Sequence, residues 1–589
     1  MVDKKNMKII VKDTKSTVDF TETNDNIKGI VERAFHISLG VRGKGYQFSP
    51  QYKRGIWDGV TDFYDKKSHT FPTGLLQDAI DVLKNLQVTH ADLTYEVDYQ
   101  FGEEFIEDKE IPQEYTLLDK DAGTITLRDY QLRGVQAALK HRVGIVNGCT
   151  GSGKTEVAAG IIKTLKPYLR KDEFVVYFVP SKAIFDEAIT RLQERLGEKV
   201  GYLGDGKRKL RQINVILMDS MVAALKSPIK ELRLSGMNRA LQLMVDEVLP
   251  KFDGVNANLK FLLQNFVKNY NATTKARDEI EEELTALAFS KKTNAEIRVA
   301  LNNYKVRYDK LLKKKLAKRY DIYKETLNLV SHTPIVFCDE AHHSKADTYY
   351  KTLYAFDAAI YRIGLTGTVD KSDKLAWQSM RSLYREIIEG VSNDEMITRG
   401  YSAKPYIKLI NITKPRSIQY ERNYGKAYDI GIVKNDERNS LIAKLAIAMY
   451  NQNRITLIIV NRMEQGEWIL NEINKAGVKA EFINGEENTN VRRRQLKDVD
   501  EGRLRVLVAT TVLDEGVDIH GINCLIMGAG GKSMRVVLQR VGRVLRHKNG
   551  DNTAIVFDFI DRTNTYLLKH SKERIKLYES QKFDIKTIN

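Results

Sequence analysis

Residues 147–156, NGCTGSGKTE, follow the spacing G-x-x-x-x-G-K-T, which suits a loop that binds the phosphates of a nucleotide. Glycines let the backbone amides of such a loop turn toward the phosphates, and the helix that follows favours anions at its N-terminus. The glycines of this loop are Gly148, Gly151 and Gly153. Lys154 is placed to reach the β- and γ-phosphates, and the Thr155 hydroxyl is placed to ligate Mg²⁺. The stretch therefore predicts a site for a nucleoside triphosphate with Mg²⁺.

A pair of carboxylates follows an apolar stretch in IVFCDEAHH. Asp339 and Glu340 come directly after the predicted strand 335–338. Two adjacent carboxylates are usually surface charge, but a position after a buried strand, in a chain with a phosphate loop, favours catalysis. We expect Asp339 to hold the Mg²⁺ and Glu340 to orient and activate the attacking water.

A basic helix, QRVGRVLR, lies toward the end of the second α/β unit, and it places Gln539, Arg543 and Arg546 on one face. The guanidinium group suits a phosphoryl transition state because it is always charged and donates in a plane. Such a run is more often a solvated basic surface. The catalytic interpretation is favoured because the preceding α/β unit has no phosphate loop of its own and is best explained as a lid that brings arginines to the first unit's nucleotide.

The elements that must position these residues alternate in type. Strand, loop and helix repeat over about 125–225, resume around the Asp339 strand and repeat again over about 400–565. Continuous apolar strands followed by helices predict parallel sheets that are covered on both faces. The intervening residues, about 236–330, are rich in Lys, Glu, Leu and Ala and predict two or three long helices inserted in the first unit. The basic second half of this insert is either a solvated helix face or a nucleic-acid contact.

The predicted fold class is α/β, with two tandem RecA-like parallel-sheet domains, a small N-terminal α/β domain and a helical insertion in the first RecA-like domain. The expected boundaries are an N-terminal domain at 1–105, an acidic linker at 106–124, RecA-like domains at 125–398 and 399–565, and a helical C-terminal tail at 566–589. In the N-terminal domain, Lys44, Lys53 and Arg54 are the best candidates for phosphate contact. Phe48 and Trp57 are more simply interpreted as core residues.

The composition is that of a soluble protein with a basic surplus. Lys and Arg number 94 against 77 Asp and Glu, for a net charge of +17, which suits a polyanion such as nucleic acid. The three cysteines are scattered, which argues against a disulfide framework and fits a reducing cytoplasm. No apolar run approaches about 18 residues and the N-terminus lacks a signal-peptide pattern, so no membrane span is expected.

The motifs occur in the order found in superfamily 2 helicases and translocases, which this chain resembles over about residues 125–565. LRDYQLRGVQAAL is similar to their adenine-reading segment, which implies base contact by Gln131 and stacking by Tyr130. GCTGSGKT and DEAH are similar to their two ATP motifs, with His342 as a coupling residue. VPSKAI resembles a strand-contact motif, so we expect Pro180 and Ser181 at the nucleic acid. The resemblance therefore implies ATP and Mg²⁺ as cofactors.

Three later motifs extend this resemblance: LTGT, ATTVLDEGVDI and QRVGRVLR. The roles that it implies are coupling for Thr366 and Thr368, ATP contact for Gly516 and Asp518, backbone contact with nucleic acid for Thr510, arginine fingers for Arg543 and Arg546, and a place near the γ-phosphate for Gln539. Together they imply a motor whose two domains close around ATP and move a strand across their shared face.

The N-terminal stretch GKGYQFSPQYKRGIWDGVTDFYD resembles the start of the UvsW recombination helicases of tailed phages. This resemblance implies sequence-independent binding of branched or duplex DNA and RNA–DNA hybrids, fork regression, Holliday junction branch migration, and a bacterial host cytoplasm. The helical insert is not part of the family's pattern, so it either projects over the nucleic-acid path or recruits a protein partner. The alternatives are an RNA helicase or another duplex translocase and, in a different class, an ATP-gated nucleic-acid-binding scaffold.

Overall fold

The computed structural model describes residues 7–43, 45–103, 105–226, 260–261, 263–265, 286–485, 489–510, 521–531, 537, 540–542 and 552–588. The chain forms two compact units, one comprising Met1–Ser220 with His332–Asn589 and the other Met221–Ser331. In the second unit the longest described element is the helix Asn294–Ser331, which agrees with the helical pattern predicted there. No helix among the described residues is both long and apolar enough to cross a membrane.

The N-terminal domain is the α/β unit that the sequence predicts. Its four-stranded sheet has the order β5-β2-β1-β6, with β1 antiparallel to β2 and parallel to β6. Alternate residues of β1, from Met7 to Val11, are buried because strand side chains point to opposite faces. The elements are β1 Met7–Val11, β2 Lys15–Asp19, α1 Asp25–Leu39, β3 Val41–Arg42, α2 Pro50–Lys53, β4 Val60–Thr61, β5 Thr70–Pro72, α3 Leu76–Thr89 and β6 Tyr95–Tyr99.

The prediction that Phe48 is a core residue is wrong, because its side chain is 71% exposed. Phe48 lies just before α2, where Gly45 and Gly55 adopt positive φ angles and turn the chain outward. Trp57 is half-buried, and its indole N–H donates to the Val60 carbonyl at 2.7 Å. In this loop Trp57 is therefore partly packed, whereas Phe48 is exposed to solvent.

The first RecA-like domain has an eight-stranded sheet in its described part, with the order β12-β11-β13-β10-β14-β15-β9-β16. The pairings are parallel except for that of β11 with β12. All five residues of β10 are buried, as expected for a strand covered on both faces. The elements are β7 Thr116–Asp119, β8 Gly123–Thr126, α4 Asp129–His141, β9 Val143–Gly148, α5 Lys154–Leu165, β10 Val175–Val179, α6 Lys182–Leu196, β11 Gly201–Gly204, β12 Lys207–Lys209, β13 Ile213–Leu217, α7 Met218–Ala224, β14 Ile335–Asp339, α8 Asp347–Tyr354, β15 Tyr361–Thr366, α9 Lys374–Tyr384, β16 Ile387–Val391 and α10 Asn393–Thr398.

The segment predicted as a linker, 106–124, is instead part of this domain. Its second half contributes to the antiparallel hairpin of β7 and β8. Tyr115 and Leu117 are buried in the domain's core, and the Tyr115 hydroxyl lies 2.8 Å from that of Thr164. The acidic stretch FGEEFIEDKEIPQE is typical of a linker, but farther along the same segment the Asp119 carboxylate forms an ion pair with the buried Arg195 at 2.8 Å.

The second RecA-like domain has a seven-stranded, wholly parallel sheet within the described residues, with the order β19-β20-β18-β21-β22-β17-β23. The predicted helical tail is helical only to Ser580, because the chain then adds β23 beside β17. The elements are β17 Lys404–Ile412, α11 Tyr424–Tyr428, α12 Asp436–Asn451, β18 Thr456–Ile459, α13 Met463–Lys475, β19 Ala480–Ile483, α14 Thr489–Asp500, β20 Val506–Ala509, β21 Cys524–Ile526, β22 Thr553–Asp561, α15 Thr565–Ser580 and β23 Asp584–Ile588.

The N-terminal domain packs against α9 of the first RecA-like domain. The Arg381 guanidinium donates to both carboxylate oxygens of Asp78, at 2.8 and 3.1 Å. The Gln378 side chain donates to the Leu39 carbonyl at 3.1 Å. A methyl group at Gly74 would collide with the Arg381 backbone, so the two surfaces are in close contact. These contacts join the two domains into one block.

Candidate active site

The phosphate loop connects β9 to α5 as the sequence predicts. Gly151 and Gly153 have φ angles of +80° and +79°, which side chains with a Cβ rarely adopt. A methyl group at Gly148 would collide with the Ser152 hydroxyl. The Lys154 ammonium donates to the Gly148 carbonyl at 3.2 Å, so this side chain lies across the loop. The backbone amides and this ammonium form a concentration of donors that suits phosphate oxygens.

The predicted adenine-reading segment lies beside this loop. Gln131 accepts from the Arg128 backbone at 2.9 Å and donates to the Ser152 carbonyl at 3.0 Å, so it connects α4 to the phosphate loop. Tyr130 is buried, with its ring 5.9 Å from that of Tyr401. The Arg128 guanidinium lies 4.2 Å from the centre of the Tyr401 ring. This exposed cation over a half-buried ring is a further candidate for stacking on a base. No local sequence pattern indicates the pair, because its two residues are far apart in the chain.

The Asp339 carboxylate lies at the end of β14, where it accepts from the Glu340 backbone N–H at 2.9 Å. Burial raises the pKa of the Asp339 carboxyl, and the positive charge of Lys154 lowers it. The carboxylate and the phosphate-loop ammonium are therefore close enough to interact. Their proximity is the arrangement expected where a metal and a triphosphate share one site.

The residues around Asp339 fit a hydrated Mg²⁺, which takes oxygen ligands and usually retains several waters. The Tyr177 hydroxyl on β10 is fully buried, and the side chains of Thr155 and Asp339 lie within reach of it. Burial raises the pKa of Tyr177 well above its ordinary value, as does the Asp339 charge, and Thr155 lowers it. Thr155 and Asp339 would hold the ion. Tyr177 has no distinguishing signal in the sequence, because β10 is uniformly apolar around it.

The Glu340 carboxylate is connected to the predicted coupling motif. Glu340 has a left-handed backbone, with φ +47°, and its carboxylate oxygen Oε2 lies 3.3 Å from His342 Nδ1. The same nitrogen lies 3.0 Å from the Thr366 hydroxyl, which donates to the Thr368 carbonyl at 3.1 Å. Because the single hydroxyl proton is used there, His342 Nδ1 is the donor to Thr366. Glu340 thus lies beside a histidine that is hydrogen-bonded to the end of β15.

Two glycines bring other segments against the phosphate loop. A methyl group at Gly367 would lie 3.4 Å from the Gly148 carbonyl oxygen. A methyl group at Gly542 would lie 2.6 Å from the Thr150 Cβ, closer than real Cβ atoms approach. Gly542 belongs to the basic helix of the second RecA-like domain. The segment that precedes the predicted arginine fingers therefore touches the phosphate loop of the first domain.

Six of the predicted site residues lie outside the described part of the chain, and their roles stay predictions. They are Lys44, Gly516, Asp518, Gln539, Arg543 and Arg546.

The described candidates for nucleic-acid contact lie in three places. Lys53 and Arg54 are exposed on the N-terminal loop. Pro180 and Ser181 are half-buried and follow β10. Thr510 follows β20, and its backbone N–H donates to the Ile483 carbonyl at 3.0 Å. The last two sites lie at the carboxyl edges of their parallel sheets, where ligands of α/β folds usually bind.

Comparison with known families places helicase segments across these domains. The family described as Helicase conserved C-terminal domain matches residues 437–548. The family described as Type III restriction enzyme, res subunit, matches residues 124–248 and 256–371. The matched segments include the phosphate loop, the Asp339 strand and the basic helix.

Individual relatives agree with these families. The ATP-dependent DNA helicase UvsW of Enterobacteria phage T4 is 25% identical over 289 residues, which cover 46% of this chain and 57% of that protein. The DNA 3'-5' translocase XPB2 of Sulfurisphaera tokodaii is 24% identical over 508 residues, covering 79% of this chain and 89% of that protein. The crystal structure of T4 UvsW aligns over 99% of both chains with 17% identity and a TM-score of 0.38. The chain spans about half the length of several curated viral relatives that it matches.

Proposed function

Because the chain is a superfamily 2 helicase that resembles UvsW, we propose that it hydrolyses ATP to move along DNA and remodel branched DNA. The reactions are fork regression, branch migration of four-way junctions, and unwinding of displacement loops and RNA–DNA hybrids. The contact of Gly542 with Thr150 carries the proposal of a motor, because it brings the second domain to the nucleotide loop of the first.

In the proposed mechanism, the phosphate-loop amides and Lys154 bind the triphosphate, and Thr155 with Asp339 holds Mg²⁺. The metal supplies neutralisation of phosphate charge. Glu340 orients the attacking water and accepts its proton, while Arg543 and Arg546 stabilise the charge on the transferred phosphoryl group. The contact of Glu340 with His342, and the hydrogen bonds from His342 to Thr366 and from Thr366 to Thr368, then transmit the state of the γ-phosphate to the loop at Thr368.

DNA binding in this proposal is mainly to phosphates, as the net charge of +17 favours. Thr510, Pro180 and Ser181 contact the translocated strand, and Lys53 and Arg54 of the N-terminal loop contact a neighbouring duplex arm. Binding should be independent of sequence and should weaken steeply as salt is raised.

The remaining assignments concern organisation. We divide the chain into a DNA-binding domain at 1–105 and RecA-like domains at about 106–398 and 399–588. The helical insert at about 236–330 is a surface for nucleic acid or for a protein partner. We also propose that the protein acts in the cytoplasm of a bacterial host, a proposal supported by its resemblance to a phage helicase.

The test is ATP-dependent movement of a mobile four-way DNA junction, run beside a linear forked duplex and an RNA duplex. Resolution of the junction and the fork without the RNA duplex supports the proposal. Unwinding of RNA alone would assign the motor to RNA instead. Glu340→Gln should abolish unwinding and leave DNA binding nearly intact, and an equal loss of binding would contradict the role of Glu340.

A further inference from the structure

A group of tyrosines on the second RecA-like domain has no part in the site described above. The Tyr424 ring lies 6.3 Å from that of Tyr566, at an interplanar angle of 82°, and 5.2 Å from that of His570. Tyr424 and Tyr566 remain 41% and 40% exposed. Tyr420, on the same segment as Tyr424, is 86% exposed. We call Tyr420, Tyr424 and Tyr566 the tyrosine patch.

The backbone under the patch is held by buried polar side chains. Asn564 donates to the Ile418 carbonyl at 2.7 Å and to the Glu421 carbonyl at 3.0 Å, which ties the Tyr420 segment to the start of α15. Tyr428, in contact with Tyr424, donates its hydroxyl proton to the Ala529 carbonyl at 2.7 Å. The exposed rings therefore stand on a rigid base, so that ordering them on binding costs little conformational entropy.

The surroundings of the patch are positively charged. Arg416, Arg422 and Lys569 are exposed on the segments that carry the tyrosines. The carboxylate of Glu421 is engaged by Lys426 at 3.2 Å. Exposed aromatic faces beside exposed cations match a ligand that has both flat apolar groups and negative charge.

The position of the patch relates it to the motor. Tyr424 and Tyr566 follow the carboxyl ends of β17 and β22, and Thr510 follows the carboxyl end of the parallel strand β20. The segments that lead to the patch therefore leave the sheet at the same edge as the segment of Thr510. β20 and β17 are four positions apart in the strand order, which corresponds to about 19 Å at about 4.8 Å per strand. A strand that leaves Thr510 along this edge reaches the patch within a few nucleotides.

We propose that the tyrosine patch binds single-stranded nucleic acid, with bases stacked on the tyrosine rings and phosphates held by Arg416, Arg422 and Lys569. This surface lies outside the predicted strand-contact motifs and extends the path of the displaced or translocated strand. The inference rests on the proposed function, because it assumes that the motor works on nucleic acid.

The experiment measures binding of fluorescein-labelled oligo(dT) and of a duplex by anisotropy in the full chain, across a series of salt concentrations. Tyr424→Ala combined with Tyr566→Ala should weaken oligo(dT) binding by about 5- to 150-fold per stacked base lost. Tyr424→Phe combined with Tyr566→Phe should retain it, because the ring carries the interaction. Arg422→Ala should reduce the slope of log affinity against log salt by about one, whereas the alanine variants of the tyrosines should not change that slope.

Tyr420→Ala is a second test of the patch that stands even if the double variant misfolds, because the Tyr420 side chain is 86% exposed and adds little to packing. Tyr168→Ala is the matched control, since Tyr168 is an exposed tyrosine (46%) of the first RecA-like domain. Basal ATPase activity should be unchanged in all variants.

Oligo(dT) binding within twofold of the wild type in both Tyr420→Ala and the double variant would overturn the proposal, as would an equal loss in Tyr168→Ala. If the wild type moves the four-way junction while the patch variants bind normally, only the patch is refuted. If the wild type binds no nucleic acid, the proposed function fails.

Discussion

Gly542→Ala tests whether the second RecA-like domain touches the phosphate loop during hydrolysis. The added methyl carbon would lie 2.6 Å from the Thr150 Cβ, whereas carbon atoms in contact prefer about 3.5–4.0 Å. The two surfaces must therefore separate by about 1 Å. Overpacking of this kind costs about 1–3 kcal/mol, which corresponds to a loss of about 5- to 150-fold in kcat/KM for ATP if the contact forms in the transition state.

The same substitution should leave the fold intact, because alanine is favoured over glycine by about 1 kcal/mol within a helix. The assay is DNA-stimulated ATPase activity together with thermal unfolding. Gly29→Ala in α1 is the control, since a methyl group there meets nothing within 4 Å. Thr150→Gly in the Gly542→Ala background removes the colliding carbon and should restore part of the activity. ATPase activity within twofold of the wild type in Gly542→Ala would refute the contact.

Two further predictions concern stability. Arg574→Ala should lower the free energy of unfolding by about 3–5 kcal/mol, because it leaves the Asp558 carboxylate buried without the guanidinium that donates to it at 2.8 Å. Urea unfolding measures this loss. A loss no larger than that of the surface variant Arg503→Ala would contradict the prediction. The hydrogen bond that the His36 ring donates to the Asp62 carboxylate raises the pKa of His36 above its ordinary 6.5. His36 therefore contributes its full stabilisation below about pH 6.5 and loses it as pH rises through the raised pKa. As pH is raised from 6 to 9, the midpoint of unfolding should therefore decrease more steeply in the wild type than in His36→Asn. Equal slopes of midpoint against pH would exclude this role.

The parts of the structure that follow from local pattern were predictable. The phosphate loop needs glycines at fixed spacing and a strand before it, and the Asp339 strand needs an apolar run, so a short window contains the whole signal. The exposure of Phe48 was not predictable in this way, because an aromatic ring in a glycine-rich loop is usually packed, and only the turns at Gly45 and Gly55 direct it outward.

The other errors and omissions depend on contacts between distant segments. Residues 106–124 resemble a linker in sequence, and the contact of Tyr115 with Thr164 shows that they belong to the domain. The strand β23 is recognised by its pairing with β17 rather than by its own sequence. Tyr177 is indistinguishable from a core residue until β10 lies beside β14. A single sequence does not state which segments become neighbours, so these features required the fold.

The attachment of the N-terminal domain to α9 has a mechanical consequence. Since Arg381 binds Asp78 through two hydrogen bonds and Gly74 lies against the helix backbone, the loop that carries Lys53 and Arg54 shares one frame of reference with the phosphate loop. In the proposed mechanism, ATP-driven closure would displace the second RecA-like domain relative to both. A DNA arm bound by that loop would then stay fixed, and the other arm would move past it. Each translocation step would therefore be taken relative to the branch point.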